Sequence, residues 1–158
     1  MSAPSELPLS FEPSTDSIPS RLRIRIGVLI ALGGLLIFMV GVLPEYFGFD
    51  RSPVFGFVQI ETFLVGLGIL CIGGYVSLRS LWTNGNRSIL ADIGPRLVTT
   101  GFVIALFSGM ADVFGFGTQL RPRVPFFGPW QAGGVLAGEA LIAIGFLLFI
   151  PFRWYKKR

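Results

Sequence analysis

A glutamate inside an apolar segment is the residue of this sequence best able to do chemistry. Glu139 lies near the centre of an apolar stretch that runs from about 129 to 152. A carboxylate at that depth of a bilayer costs roughly 2.5–3.5 kcal/mol on insertion scales, so it must face protein or water and be paired or protonated. We therefore consider Glu139 a candidate proton or cation site. The alternative is a protonated acid that only donates a hydrogen bond across helices, to Ser108, Thr99 or Thr100.

A second acid lies near the beginning of another apolar segment. Glu61 is placed one to two helical turns into the stretch 55–78. A carboxylate this shallow can extend its charged end towards the surface or pair with a base in a nearby loop. We expect a structural ion pair for Glu61, with Arg51, Arg121 or Arg123 as its partner.

Two more acids and two amides occupy matching positions of a repeated pattern. In each copy an acid precedes Phe-Gly-Phe by two residues, and Phe-Gly-x-x-Gln then opens the next apolar segment. The repeat brings these four residues to one level, so we expect a polar ring that is a candidate site. The alternative is that they only cap helices and join the two halves. The four residues are Glu45, Asp112, Gln59 and Gln131.

The segments that position these residues are too apolar for a water-soluble domain. Hydrophobic residues make up 52% of the 158 residues and charged ones 14%. Such a composition predicts that lipid is the solvent. We expect an all-α membrane protein in which residues 21–158 form a four-helix transmembrane domain, because each apolar run is long enough to span a bilayer. The predicted helices cover about 26–44, 55–78, 95–114 and 129–152.

The repeated pattern predicts that the four helices form two tandem hairpins. Each copy holds one apolar segment, the aromatic corner and a second apolar segment. Because each hairpin begins and ends on the same side, the two are a direct repeat related by an axis along the membrane normal. Many transporters contain inverted repeats instead.

The distribution of basic residues predicts the orientation. Bases flank the beginning of the first segment, the loop between the second and third, and the end of the chain, which by the positive-inside rule places them in the cytoplasm. Both termini should therefore be cytoplasmic, in a multi-pass protein of the cytoplasmic membrane. Residues 1–20 are rich in proline and serine, and we expect them to form a disordered cytoplasmic tail.

Small residues recur at four-residue spacing in the last two segments. This spacing predicts close helix packing, either inside the protein or against the helix of a partner. The predicted packing residues are Gly134 and Gly138 in one motif, and Gly101, Ala105 and Gly109 in the other.

The residue inventory argues against catalysis and cofactor binding. The chain has no histidine and one cysteine, Cys71, which lies in an apolar run. We therefore expect no metal site, no cofactor and no enzyme activity. The net charge of +4 comes from bases at segment ends, not from a basic stripe with interleaved aromatics, so we expect no nucleic-acid partner.

The sequence leaves three functional hypotheses. The first is a non-catalytic accessory subunit or scaffold, with the lipid bilayer and a membrane-protein partner or a homo-oligomer as its contacts. The second is a small oligomeric transporter or channel that uses Glu139 as its proton or cation site. The third is lipid binding between the hairpins, favoured by the basic residues at the cytoplasmic side.

Overall fold

A computed structural model describes residues 20–48, 56–82, 89–115 and 127–151. These ranges form an all-helical structure, as the sequence predicts. The predicted disordered tail, except for Ser20, lies outside the described residues, as do the expected ion-pair partners of Glu61. The elements are α1 (Ser20–Val42), α2 (Phe57–Arg79), α3 (Ile89–Gly109) and α4 (Pro129–Phe149), with a short 3₁₀ helix at Pro44–Phe47.

All four α-helices are long and apolar enough to cross a membrane. They contain 21 to 23 residues, which at 1.5 Å per residue gives about 32 to 35 Å, slightly more than the hydrocarbon core of a bilayer. The expectation of four spanning segments is therefore supported by the length and composition of helices that are present in the structure.

The helix ends differ from the expected positions by up to six residues. α1 begins at Ser20 and includes three arginines in its first two turns. Arginine has a high helix propensity, so the helix extends beyond the apolar run. α3 begins at Ile89, and Pro95 lies inside the helix instead of in its first turn. Asp92 in the first turn of α3 stabilises this earlier start through the helix dipole.

Glycines shape the two corners that join the helices of each pair. Gly48 has φ 69° and Gly115 has φ 78°, both in the left-handed region that glycine adopts without steric cost. Gly56 and Gly128 precede α2 and α4 in extended conformations, with φ near −78° and −77°. We call this end of the molecule the corner end. The opposite end is called the terminal end and contains Ser20, Arg79, Ile89 and Phe149.

In the first hairpin, α1 and α2 are in backbone contact at glycines seven residues apart. A Cβ atom on Gly34 would lie 2.9 Å from the carbonyl oxygen of Gly66, and one on Gly73 would lie 2.7 Å from that of Gly27. Any side chain at these positions would collide with backbone, so only glycine permits this separation of the helices. The spacing of seven keeps the contact on one face of each helix, as in a left-handed coiled coil.

In the second hairpin, α3 and α4 are also in backbone contact at glycines. A Cβ atom on Gly94 or Gly145 would lie 2.7 Å from the carbonyl oxygen of the other residue, and the corresponding distance for Gly101 and Gly138 is 2.5 Å. Ala105 is fully buried against Gly138. The predicted packing residues Gly134, Gly138, Gly101 and Ala105 thus lie between α3 and α4, whereas Gly109 faces Leu64 of α2.

Adjacent glycines of α1 provide a test of this packing. We expect Gly34→Ala to destabilise the protein by about 1 to 3 kcal/mol, because its Cβ would force the helices apart. Gly33→Ala should be neutral or slightly stabilising, since nothing lies within 4 Å of its Cβ position. The measurement is unfolding in mixed micelles followed by circular dichroism. Equal effects of the two substitutions would contradict the packing.

Candidate functional site

We call the interface between the two hairpins the seam. Aromatic side chains of the second hairpin lie there on glycines of the first. A Cβ atom on Gly68 of α2 would be 3.1 Å from the ring of Phe102, and one on Gly74 would be 2.7 Å from the ring of Phe146. Since rings replace direct backbone contact, the two hairpins stand further apart than the two helices within a hairpin.

Two contacts join the hairpins at opposite ends of the seam. At the corner end Phe63 and Phe127 pack edge to face, with ring centroids 6.4 Å apart. At the terminal end the indole Nε1 of Trp82 donates a hydrogen bond of 3.0 Å to the carbonyl oxygen of Phe149. The seam is thus fixed at its ends and is less closely packed between them.

The described helices form an open bundle in which α1 lies at the edge. α1 packs along α2, α3 packs along α4, and α2 also contacts α3 and α4. Among the described helices, α1 therefore has one close neighbour. As a result, α2 has the largest buried share of the four helices, and the opposite side of α1 is exposed.

Two cavities lie along the side of the seam where α2 faces α3. The larger, of about 640 Å³, extends towards the terminal end and reaches Tyr75 and Arg96. The smaller, of about 380 Å³, extends towards the corner end and reaches Glu61 and Met110. Gly68, Ile72 and Phe102 line both cavities. We call the two cavities together the α2–α3 crevice.

Glu139 is the central residue of α4, ten residues from each end of the helix. It is half-buried, and it lies two turns before Phe146 on the same face of α4. Because Phe146 packs on Gly74, that face is turned towards α2. The depth expected for Glu139 from the sequence thus coincides with the centre of an observed helix, on the flank beside the seam.

Thr99 and Ser108, two of the residues expected as hydrogen-bond partners of Glu139, have other neighbours in the structure. The Oγ1 atom of Thr99 donates to the carbonyl oxygens of Pro95 and Arg96, at 3.2 and 2.9 Å, within its own helix. Ser108 lies where a side chain on Gly134 would be. A hydrogen bond from Glu139 across helices stays a prediction.

Glu61 is exposed on α2 and lines the smaller cavity at the corner end of the crevice. Its expected arginine partners lie outside the described residues, so the ion pair stays a prediction. Glu61 thus lies at one end of the crevice, and Arg96 lies at the other.

The four residues of the expected polar ring all lie at the corner end. Glu45 is exposed on the 3₁₀ helix, and Asp112 is half-buried in the turn after α3. The side-chain oxygen of Gln131 accepts a hydrogen bond of 2.8 Å from the backbone N–H of Gly128. Gln131 thus caps its own helix, as the alternative interpretation proposed for this residue. Gln59 lies in the equivalent first turn of α2, and the ring as a binding site stays a prediction.

Sequence reasoning missed the glycine contacts of the first hairpin and the residues of the crevice. The missed signal was a spacing of seven in place of four, at Gly27, Gly34 and Gly41 in α1 and at Gly66 and Gly73 in α2. Tyr75 and Arg96 carried no signal of their own, because their proximity depends on how α2 packs against α3.

The fold supports membership of one broad class. Four helices that are long and apolar enough to span a bilayer are the features of a multi-pass membrane protein. Among the described residues, no three histidine, cysteine or acidic side chains come together as a metal site would require. Comparison with protein-family models, with curated proteins and with solved structures finds no match for this chain.

The tryptophan hydrogen bond across the seam can be tested directly. We expect Trp82→Phe to lower the free energy of unfolding by about 0.5 to 1.5 kcal/mol, because the carbonyl oxygen of Phe149 loses its donor. Trp130→Phe is the matched control, since Trp130 is 83% exposed. Unfolding in mixed micelles measures both variants, and an equal loss in the two would show that Trp82 does not hold the hairpins together.

Proposed function

We propose that this chain is a non-catalytic accessory subunit or scaffold of an assembly in the cytoplasmic membrane. In this proposal it consists of two tandem hairpins, with both termini in the cytoplasm. The basic residues at the terminal end support this orientation through the positive-inside rule. Arg21, Arg23, Arg25, Arg79 and Arg96 are the described bases at that end.

The glycine contacts support the direct repeat. Glycines recur at a constant distance along the sequence in the two hairpins. Gly94, Gly101 and Gly115 lie 67 positions after Gly27, Gly34 and Gly48, respectively. Gly128, Gly138 and Gly145 lie 72 positions after Gly56, Gly66 and Gly73, respectively. The members of each pair have the same local role, either at a helix contact or at a corner. Such agreement at six positions favours duplication of one hairpin.

The observation that carries the scaffold proposal is an unused stripe of small residues on α4. Gly133, Ala137 and Ala140 are exposed and follow a spacing of four and three, so they form one face of the helix. Val135, Gly138 and Ile142 are buried on the opposite face. Nothing lies within 4 Å of a Cβ position on Gly133.

This stripe has the property that allows helices to approach closely in a membrane. Lipid tails are as apolar as leucine, so helix association depends on packing, and small residues let two backbones come into contact. Within each hairpin of this chain, small residues already serve that purpose. An additional small-residue face directed outwards is suited to the helix of another subunit or of a second copy.

A pair of substitutions on α4 tests the scaffold proposal. We expect the wild-type chain, cross-linked in native membranes and then purified, to recover a partner or a second copy. Ala137→Leu should reduce that recovery at least about tenfold, because a leucine blocks close approach. Ala143→Leu is the control, since Ala143 is exposed on the same helix but lies about 120° around it from Ala137. Recovery of a monomer alone from wild-type membranes, or equal recovery with both variants, would contradict the proposal.

The alternative is a small oligomeric transporter or channel, favoured by the central position of Glu139 beside the seam. In this alternative, proton or monovalent-cation flux into proteoliposomes requires Glu139. We expect Glu139→Gln to abolish such flux while the helical content is retained, and Glu61→Gln to serve as the control acid. Flux that is unchanged in Glu139→Gln, or absent from the wild-type protein, would remove this alternative.

A further inference from the structure

The α2–α3 crevice is apolar along its length and has opposite charges at its two ends. Its walls are formed by residues such as Ile72, Val98 and Val103, with Arg96 at the terminal end and Glu61 at the corner end. Its larger cavity, about 640 Å³, is within the roughly 300–1,000 Å³ of small-molecule sites. Both helices are long and apolar enough to cross a membrane, so an apolar crevice between them is suited to lipid tails.

Tyr75 and Arg96 lie at the same depth on opposite sides of the crevice. α2 and α3 are antiparallel, and Gly68 meets Phe102 midway along the crevice. Tyr75 is seven residues from Gly68, and Arg96 is six residues from Phe102, which places both about 9 to 11 Å towards the terminal end. A ligand that fills the larger cavity therefore reaches both polar side chains at once.

Other residues hold Tyr75 in place. Its ring stacks on Phe149 with a centroid distance of 5.9 Å and an interplanar angle of 18°. Arg79, one turn further along α2, donates a hydrogen bond to the Tyr75 hydroxyl oxygen, and its guanidinium carbon lies 5.7 Å from the ring centroid. Since the hydroxyl oxygen accepts this bond, its own hydrogen can be donated to a ligand.

The charge at the terminal end of the crevice selects an anion. Arg96 and Arg79 supply two positive charges, and Asp92, one turn before Arg96 on α3, is the described acid nearby. The net charge of these three side chains is positive. Arginine binds phosphate through two parallel hydrogen bonds. Glu61 lies about 21 Å from Tyr75 along α2, whereas the hydrocarbon of one leaflet is about 15 Å thick. A lipid with its phosphate at Tyr75 therefore does not extend as far as the negative charge of Glu61.

We propose that the α2–α3 crevice binds an anionic phospholipid, with one acyl chain in the larger cavity and the phosphate between Arg96, Tyr75 and Arg79. Gly68 and Phe102, which line both cavities, mark the place where the larger cavity meets the smaller one. The headgroup lies at the terminal end, whichever side of the membrane that end faces. This site is separate from the small-residue stripe of α4, so it does not depend on the scaffold proposal.

Native mass spectrometry of the full chain in mild detergent tests the site, with phosphatidylglycerol and phosphatidylcholine as probes. We expect the wild-type protein to retain phosphatidylglycerol preferentially. Arg96→Gln should lower that preference about fivefold, the factor that corresponds to about 1 kcal/mol per base near anionic lipid. Arg25→Gln, which removes an exposed arginine of α1 at the same end, should leave the preference unchanged.

A variant that fills the cavity separates the acyl chain from the headgroup. We expect Val103→Trp to reduce binding of both lipids, because the indole occupies the larger cavity, while helical content is retained. Ala137→Leu on α4 should bind lipid as the wild-type protein does. The proposal is overturned if the wild-type protein shows no preference for phosphatidylglycerol, or if Arg96→Gln behaves as Arg25→Gln does. Cross-links from Ile72 to a second copy of the chain would also overturn it.

Discussion

Backbone contact at glycines is the interaction on which the rest of this structure depends. In lipid, apolar side chains gain nothing by leaving the solvent, so the attraction between helices comes from close packing and weak hydrogen bonds. When Gly34 faces Gly66, and Gly101 faces Gly138, the backbones come near enough for Cα–H groups to approach carbonyl oxygens. Each hairpin is therefore a tightly packed unit.

The looser seam follows from the same constraint. The glycines that allow the closest approach are used inside the hairpins, and the seam is built mainly from aromatic rings placed on Gly68 and Gly74. Rings hold the hairpins apart between the contacts at the two ends, and this separation leaves the α2–α3 crevice. The parts of the molecule available for ligands or partners are thus those that glycine packing does not occupy.

The four spans could be predicted from the sequence because long apolar runs are a strong and local signal. The helix ends were less predictable, since the arginines before the first run and Pro95 in the third do not prevent helix formation. The depth of Glu139 was also accessible from sequence, because it depends only on position along one helix. The crevice was not accessible, because it depends on the side-chain contacts that set the distance between the hairpins.

Cysteine cross-linking in membranes measures the arrangement most directly. In a Cys71→Ala background, cysteines placed at Ala31 and Leu70 test the contact of α1 with α2, and cysteines placed at Val98 and Ile142 test that of α3 with α4. We expect rapid disulfide formation in both pairs. Little disulfide should form between cysteines at Leu32 and Ala143, which lie at similar depth on the exposed sides of α1 and α4. Efficient cross-linking of Leu32 with Ala143, together with slow reaction of the two facing pairs, would contradict the glycine-packed hairpins.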